Sequence, residues 1–225
     1  MNFDLRRACL AEALGTFCLV FAGTGAIIAN HNGAVSHVGV ALTFGLIVMA
    51  KIYTLGDVSG AHLNPAVTIA FAAARRFPVN RVLAYVLSQC AGAIVASLVL
   101  RVLFPLHPDL GTTSPSGAAA QSLIYEFILT AILMWVILGV STGAQEKGIT
   151  AGIAVGGVIA LEALFAGPVS GASMNPARSI GPAIVSGQAG QLWIYLLGPV
   201  LGALAGVFAC AGVREKGCCD GRCAA

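Results

Sequence analysis

Apolar residues in this chain gather into long runs separated by short polar interruptions. Six runs reach the length of about 18 residues that can cross a bilayer core. They are centred near Leu19, Leu46, Ala91, Ile132, Ile159 and Leu201. Six transmembrane helices are therefore expected. The first run is too long for a cleavable leader and continues into a multi-span chain.

Two of the interruptions repeat. Residues 59–68 read SGAHLNPAVT and residues 170–179 read SGASMNPARS. Six of ten positions match: Ser59/Ser170, Gly60/Gly171, Ala61/Ala172, Asn64/Asn175, Pro65/Pro176 and Ala66/Ala177. A second echo pairs Glu12 and Thr16 with Glu126 and Thr130. Each half, about 8–105 and 119–213, thus carries three spans and one such loop. An odd number of spans turns the second half over relative to the first. This is an inverted-topology repeat, whose functional site belongs near the midplane.

Asn is a favoured helix cap and Pro fits the first helical turn. Helices are therefore expected after Asn64 and Asn175. Each segment of about eleven residues is roughly 16 Å long, half of a core about 30 Å thick. Two half-helices entering from opposite faces would meet tip to tip. Non-helical backbone at that depth must be buried or line a wet cavity, and residues 59–63 and 170–174 are expected to supply that lining. Both positive helix ends would then point at one spot, where the Asn64 and Asn175 amides can donate to a passing oxygen. Cations meet an electrostatic barrier there.

A charge inside the membrane is costly and usually functional, which singles out Arg178. The bland alternative is snorkelling to the outer surface, set aside on the expectation that the helix runs inward from Arg178. His62 is read as holding its loop by hydrogen bonds. Glu12 and Glu126 are read as acceptors for loop N–H groups that need buried partners. Glu162 lies about 100° around its helix from Ala163 and is expected to face a loop or a neighbouring subunit. Lys51 is read as snorkelling.

The composition agrees with a lipid surround. The 225 residues are 58% hydrophobic and only 9% charged, against roughly a quarter charged in soluble domains. The formal charge is +3. Arg6, Arg7, Arg75, Arg76, Arg81, Lys147, Arg214, Lys216 and Arg222 all fall on one side of a chain that weaves through the bilayer. The positive-inside rule puts both termini in the cytoplasm, with the protein multi-pass in a plasma or inner membrane. The seven cysteines form no disulfide framework. The tail motif GCCDGRC offers Cys218, Cys219 and Cys223 as a soft-metal site, against the blander reading of a disordered tail with incidental cysteines. No cofactor and no nucleic-acid partner are expected. With no nucleophile–base pair and no Gly-rich phosphate loop, the chain is not expected to be an enzyme.

The two loops, the six spans and the Glu12/Glu126 pair resemble the major intrinsic protein (aquaporin) family over about residues 8–213. The stretches HLNPAVTIAFAAARRFP and LFAGPVSGASMNPARS are most similar to its nodulin-like branch, found in plants and bacteria, and a bacterial source is expected. The resemblance implies an all-α membrane protein of six transmembrane helices plus two re-entrant half-helices. It also implies a homotetramer with one pore per subunit. The pore motifs would be Asn64, Pro65, Ala66, Asn175, Pro176 and Ala177, and the selectivity filter Phe44, Ala163, Ala172 and Arg178. Alanine at both middle filter positions implies a wide ring. Phe44, Ser179 and Ala183 follow the water-channel habit, and Tyr195–Leu196 follows neither pattern. The chain is then one channel domain (8–213), with a cytoplasmic N-terminus (1–7) and a Cys-containing tail (214–225). The expected function is a passive channel for water and small uncharged solutes: glycerol, urea, and arsenous or boric acid. A strict water channel is the alternative. A secondary transporter built on inverted repeats is the rival from another class.

Overall fold

A computed structural model of the chain describes residues 4–141 and 145–214, without the side chains of residues 145–148. The Lys147 side chain, Lys216, Arg222 and the tail cysteines Cys218, Cys219 and Cys223 lie outside the described residues. The helices are α1 (Leu5–His31), α2 (His37–Ser59), α3 (Pro65–Ala73), α4 (Val79–Leu103), α5 (Ala119–Val140), α6 (Gln145–Ser170), α7 (Pro176–Ser186) and α8 (Leu192–Val213). Six of them are long and apolar enough to cross a membrane, and α3 and α7 are the short pair between them.

The burial pattern inverts that of a soluble protein. Leu14, Leu46, Leu87, Ile132, Leu161 and Leu201 are exposed, while Glu12, Gln89, Glu126, Glu162 and Arg178 are buried. Helices therefore associate through close backbone approach at small residues. Within the halves, α1 packs on α4 and α5 on α8. A side chain at Gly92 would collide with the Ala13 carbonyl, and one at Gly202 with the Phe127 carbonyl. Between the halves, α2 crosses α6. There Gly45 lies against the Gly156 carbonyl and Gly156 against the Gly45 carbonyl.

Both repeated loops turn back on themselves. Each begins with a glycine in the left-handed region, Gly60 at φ 89° and Gly171 at φ 87°. Ala61 (φ 47°), Leu63 (φ 52°), Ala172 (φ 40°) and Met174 (φ 54°) are left-handed too, a conformation that L-residues adopt only at a cost. Asn64 and Asn175 then cap α3 and α7 with their side-chain oxygens, and Pro65 and Pro176 open the helices.

Two expectations are corrected here. Helix α3 is 9 residues long, not about eleven, whereas α7 has 11. The first stops early because Arg75 adopts φ 59° and the Arg76 N–H turns back to the Phe71 carbonyl at 2.9 Å. Nor does α7 run inward from Arg178. It runs from the meeting point back to its own face, where Ser186 Oγ lies 3.0 Å from Thr112 Oγ1 of the α4–α5 loop. At the opposite end of the bundle, Arg76 donates to Ser141 Oγ at 2.9 Å and Arg214 to the Gly139 carbonyl at 3.0 Å. These cations sit at the negative end of α5, where they are favoured.

Candidate functional site

The two caps are crossed. Asn64 Nδ2 donates to the Met174 carbonyl at 2.7 Å, and Asn175 Nδ2 donates to the Leu63 carbonyl at 2.8 Å. Each Asn oxygen meanwhile accepts from its own helix, at Ala66 N (2.9 Å) and Ala177 N (3.0 Å). With the oxygen pinned, the amide orientation is fixed. One N–H goes to the other half, and the second remains available to whatever occupies the space beside it. Both residues line one open cavity.

Buried carboxylates hold the loops that carry these caps. Glu12 accepts from Ser59 Oγ (2.7 Å), His62 N (2.9 Å), Leu63 N (2.6 Å) and Gln89 Nε2 (2.7 Å). Glu126 accepts from Ser170 Oγ (2.9 Å), Ser173 N (2.9 Å) and Met174 N (2.8 Å). Tyr85 and Tyr195 donate to the Ser59 and Ser170 carbonyls at 2.8 and 2.7 Å. These bonds satisfy loop groups that water cannot reach. The carbonyls of residues 60–62 and 171–173 accept no hydrogen bond from the described residues, and these same residues except Gly171 border the cavity. The lining thus combines polar backbone with the apolar side chains of Val48, Leu133, Ile137, Val155 and Ile159.

Phe44, Ala163, Ala172 and Arg178 line this same cavity. Arg178 is 2% exposed. Its Nη1 donates to the Gly111 carbonyl at 2.9 Å, and its guanidinium carbon lies 5.2 Å from the centre of the Phe44 ring. Burial against Gly111 and Phe44 leaves no room for snorkelling. Arg178 Nε has no partner among the described residues. His62 also borders the cavity, with Nδ1 3.1 Å from Thr68 Oγ1 and its ring stacked at 4.7 Å on Phe71.

Glu162 loses one of its two expected surroundings. It is 1% exposed within this single chain, so it faces no neighbouring subunit, and neither carboxyl oxygen has a partner among the described residues. Lys51 is half-buried on α2.

Several contributors have no signature in the sequence. Gln89 bridges Glu12 and Thr68 Oγ1 (3.0 Å) from α4. Gly23 leaves the space that the Phe44 ring fills. Gly111 reaches Arg178 from a loop whose one visible signal is Asp109 followed by glycine two residues on, a turn pattern. The Asp109 carboxylate accepts from Gly111 N at 2.9 Å.

The Major intrinsic protein family model matches residues 1–210. Aquaporin NIP1-4 of Oryza sativa subsp. japonica is 54% identical over 219 residues, covering 96% of this chain and 80% of that protein. Nodulin-26 of Glycine max is 48% identical over 202 residues, covering 88% and 74%. Among solved structures, the fold is similar to the X-ray structure of the aquaglyceroporin from Plasmodium falciparum. The TM-score is 0.80 at 26% identity, over 92% of this chain and 94% of that one. Both named sequence relatives are plant proteins, so they lend no support to a bacterial source.

Proposed function

This chain belongs to the major intrinsic protein family, and from that premise we propose how it works as a multi-pass membrane channel for water and small uncharged solutes. The observation that carries the reading is the single cavity bordered by both Asn caps and by Phe44, Ala163, Ala172 and Arg178. At the crossed caps, a solute oxygen accepts from Asn64 and Asn175 between two helix N-termini. The same field repels cations. A water molecule holding both bonds has no lone pair left for its neighbour in the file, which interrupts proton hopping.

Towards the Gly111 mouth, Phe44, Ala163, Ala172 and Arg178 act as the selectivity filter. The guanidinium excludes cations and donates to neutral solutes, and the two alanines leave width. The solutes we assign are glycerol, urea, and arsenous or boric acid, alongside water. That the structural neighbour from Plasmodium falciparum is an aquaglyceroporin supports the glycerol assignment. The Glu12 and Glu126 networks and His62 hold the loops in register. We read residues 8–213 as one channel domain, assembled as a homotetramer in a plasma or inner membrane with both termini cytoplasmic. The cations at the Arg76/Arg214 end support that orientation. The soft-metal role of the tail cysteines stays a proposal from the sequence.

Stopped-flow light scattering on proteoliposomes tests this. Water and glycerol permeability should both exceed those of protein-free vesicles. Acceleration of water alone would replace the wide filter with that of a strict water channel.

A further inference from the structure

His31 and His107 meet at the α4–α5 loop that also carries Gly111, the partner of Arg178, and nothing in the transport reading uses them. His31 ends α1 and is exposed. His107 lies in the α4–α5 loop, with its side chain only 8% exposed. The two rings stand 5.2 Å apart, centre to centre, at 72°. Two imidazoles that share one ion at metal–nitrogen distances of about 2.0–2.1 Å hold their centres roughly 4.5–5 Å apart. The pair therefore already stands close to a ligating separation.

The buried ring has one engaged nitrogen and one idle nitrogen. Leu110 N donates to His107 Nδ1 at 3.1 Å, so Nδ1 carries no proton and Nε2 carries it. Nε2 is buried and has no partner among the described residues. A buried donor without an acceptor is costly and asks for an explanation. The Asp109 carboxylate lies 3.4 Å from Nδ1, and Arg101 Nη1 donates to the His107 carbonyl at 2.7 Å. A carboxylate beside the far nitrogen is the usual support of a metal-bound imidazole.

We infer that His31 and His107 form a site for a divalent transition-metal ion, and that filling it acts on the filter through Leu110 and Gly111. The ion takes the Nε2 lone pair of His107. The proton on Nε2 leaves and one is gained at Nδ1, so the ring stays neutral. Nδ1–H then faces Asp109, and the Leu110 N–H loses its acceptor. Leu110, at φ 54°, precedes Gly111, whose carbonyl holds Arg178. No third His, Cys, Asp or Glu converges there among the described residues, so water reaching the ion from the exposed His31 side fills its remaining positions. The effect on flux rests on the reading of Arg178 as a filter residue, but the binding site does not.

The test uses Ni2+, an ion suited to imidazole, because thiolates such as those of the tail favour zinc. Binding is followed by calorimetry on the full chain in detergent, and flux by stopped flow with and without Ni2+. The variants are His31→Ala, on an exposed ring, and His107→Asn, whose amide oxygen can still accept from Leu110. Each variant should weaken binding by about tenfold or more, the loss seen when even a supporting partner of a metal site is removed. Each should also abolish a Ni2+-dependent, chelator-reversible change in solute flux. Unchanged affinity in both variants, or no binding to the parent, overturns the site. Binding that needs both histidines without any change in flux overturns the coupling to Arg178.

Discussion

Gln89 and Pro199 occupy equivalent turns of α4 and α8, four residues after Tyr85 and Tyr195, and they make the two carboxylate anchors unequal. Gln89 gives Glu12 a fourth donor, while Pro199 leaves Glu126 with three. The second half thus shows that three donors suffice to hold a loop. Gln89→Leu should still fold, with a loss of about 1.5–3 kcal/mol for the hydrogen bond to Glu12 and about 0.5–1.5 kcal/mol for the neutral one to Thr68 Oγ1. Glu126→Ala, which orphans all three loop donors, should fail to yield a monodisperse protein. Thermal unfolding and gel filtration in detergent distinguish the two outcomes.

Gly23 bears on solute size. A methyl group there collides with the Phe44 ring, which borders the cavity and can yield by tilting towards it. Gly23→Ala should therefore narrow the filter through the Phe44 ring, against which the Arg178 guanidinium rests. An added barrier of about 1.4 kcal/mol would slow glycerol about tenfold, with water slowed less. Equal slowing of both solutes in stopped flow would place the effect elsewhere.

Ala163→His tests the width of the ring directly. The imidazole would occupy space in the cavity that Arg178 also lines and add a donor. Glycerol re-swelling should fall towards the rate of empty vesicles while water shrinkage persists. If glycerol flux is untouched, Ala163 does not stand at the narrowest point.

The Gly45–Gly156 crossing predicts a stability effect. Ala at either position forces a backbone carbonyl aside, whereas Gly157 has open space around it. Gly45→Ala and Gly156→Ala should each cost about 1–3 kcal/mol, the usual range for overpacking. Gly157→Ala should leave the melting temperature of the purified protein where it was.

The sequence discloses the spans and the capped half-helices because their causes are local. Apolar length, an Asn before a Pro and a repeated tripeptide each act within a few residues. Phe44, Ala163, Ala172 and Arg178 are grouped by the family resemblance alone, and all four border one cavity. The direction of α7 is implied as well, since a helix whose N-terminus sits at the meeting point must run away from it, and the inward run assumed from Arg178 conflicts with that. The length of α3 is not legible, since the left-handed Arg75 that ends it carries no glycine signal. Gln89, Gly23 and His107 stay hidden because each acts on a partner on a different element. Glu162 is visible as a buried acid, but its unpartnered oxygens appear only once the neighbouring helices are in place.

The crossed amides of Asn64 and Asn175 also decide which part of the system moves. Carriers with inverted repeats rock one half against the other around a fixed site. Here each half is bonded to the other's loop at the middle of the bundle, and α2 and α6 touch backbone to backbone beside it. A rocking cycle would have to break both bonds and leave two buried carbonyls bare for every molecule carried. Nothing in this seam has to reset between one passenger and the next. Throughput is therefore governed by diffusion along a standing path, and it should rise in proportion to the gradient with no turnover ceiling.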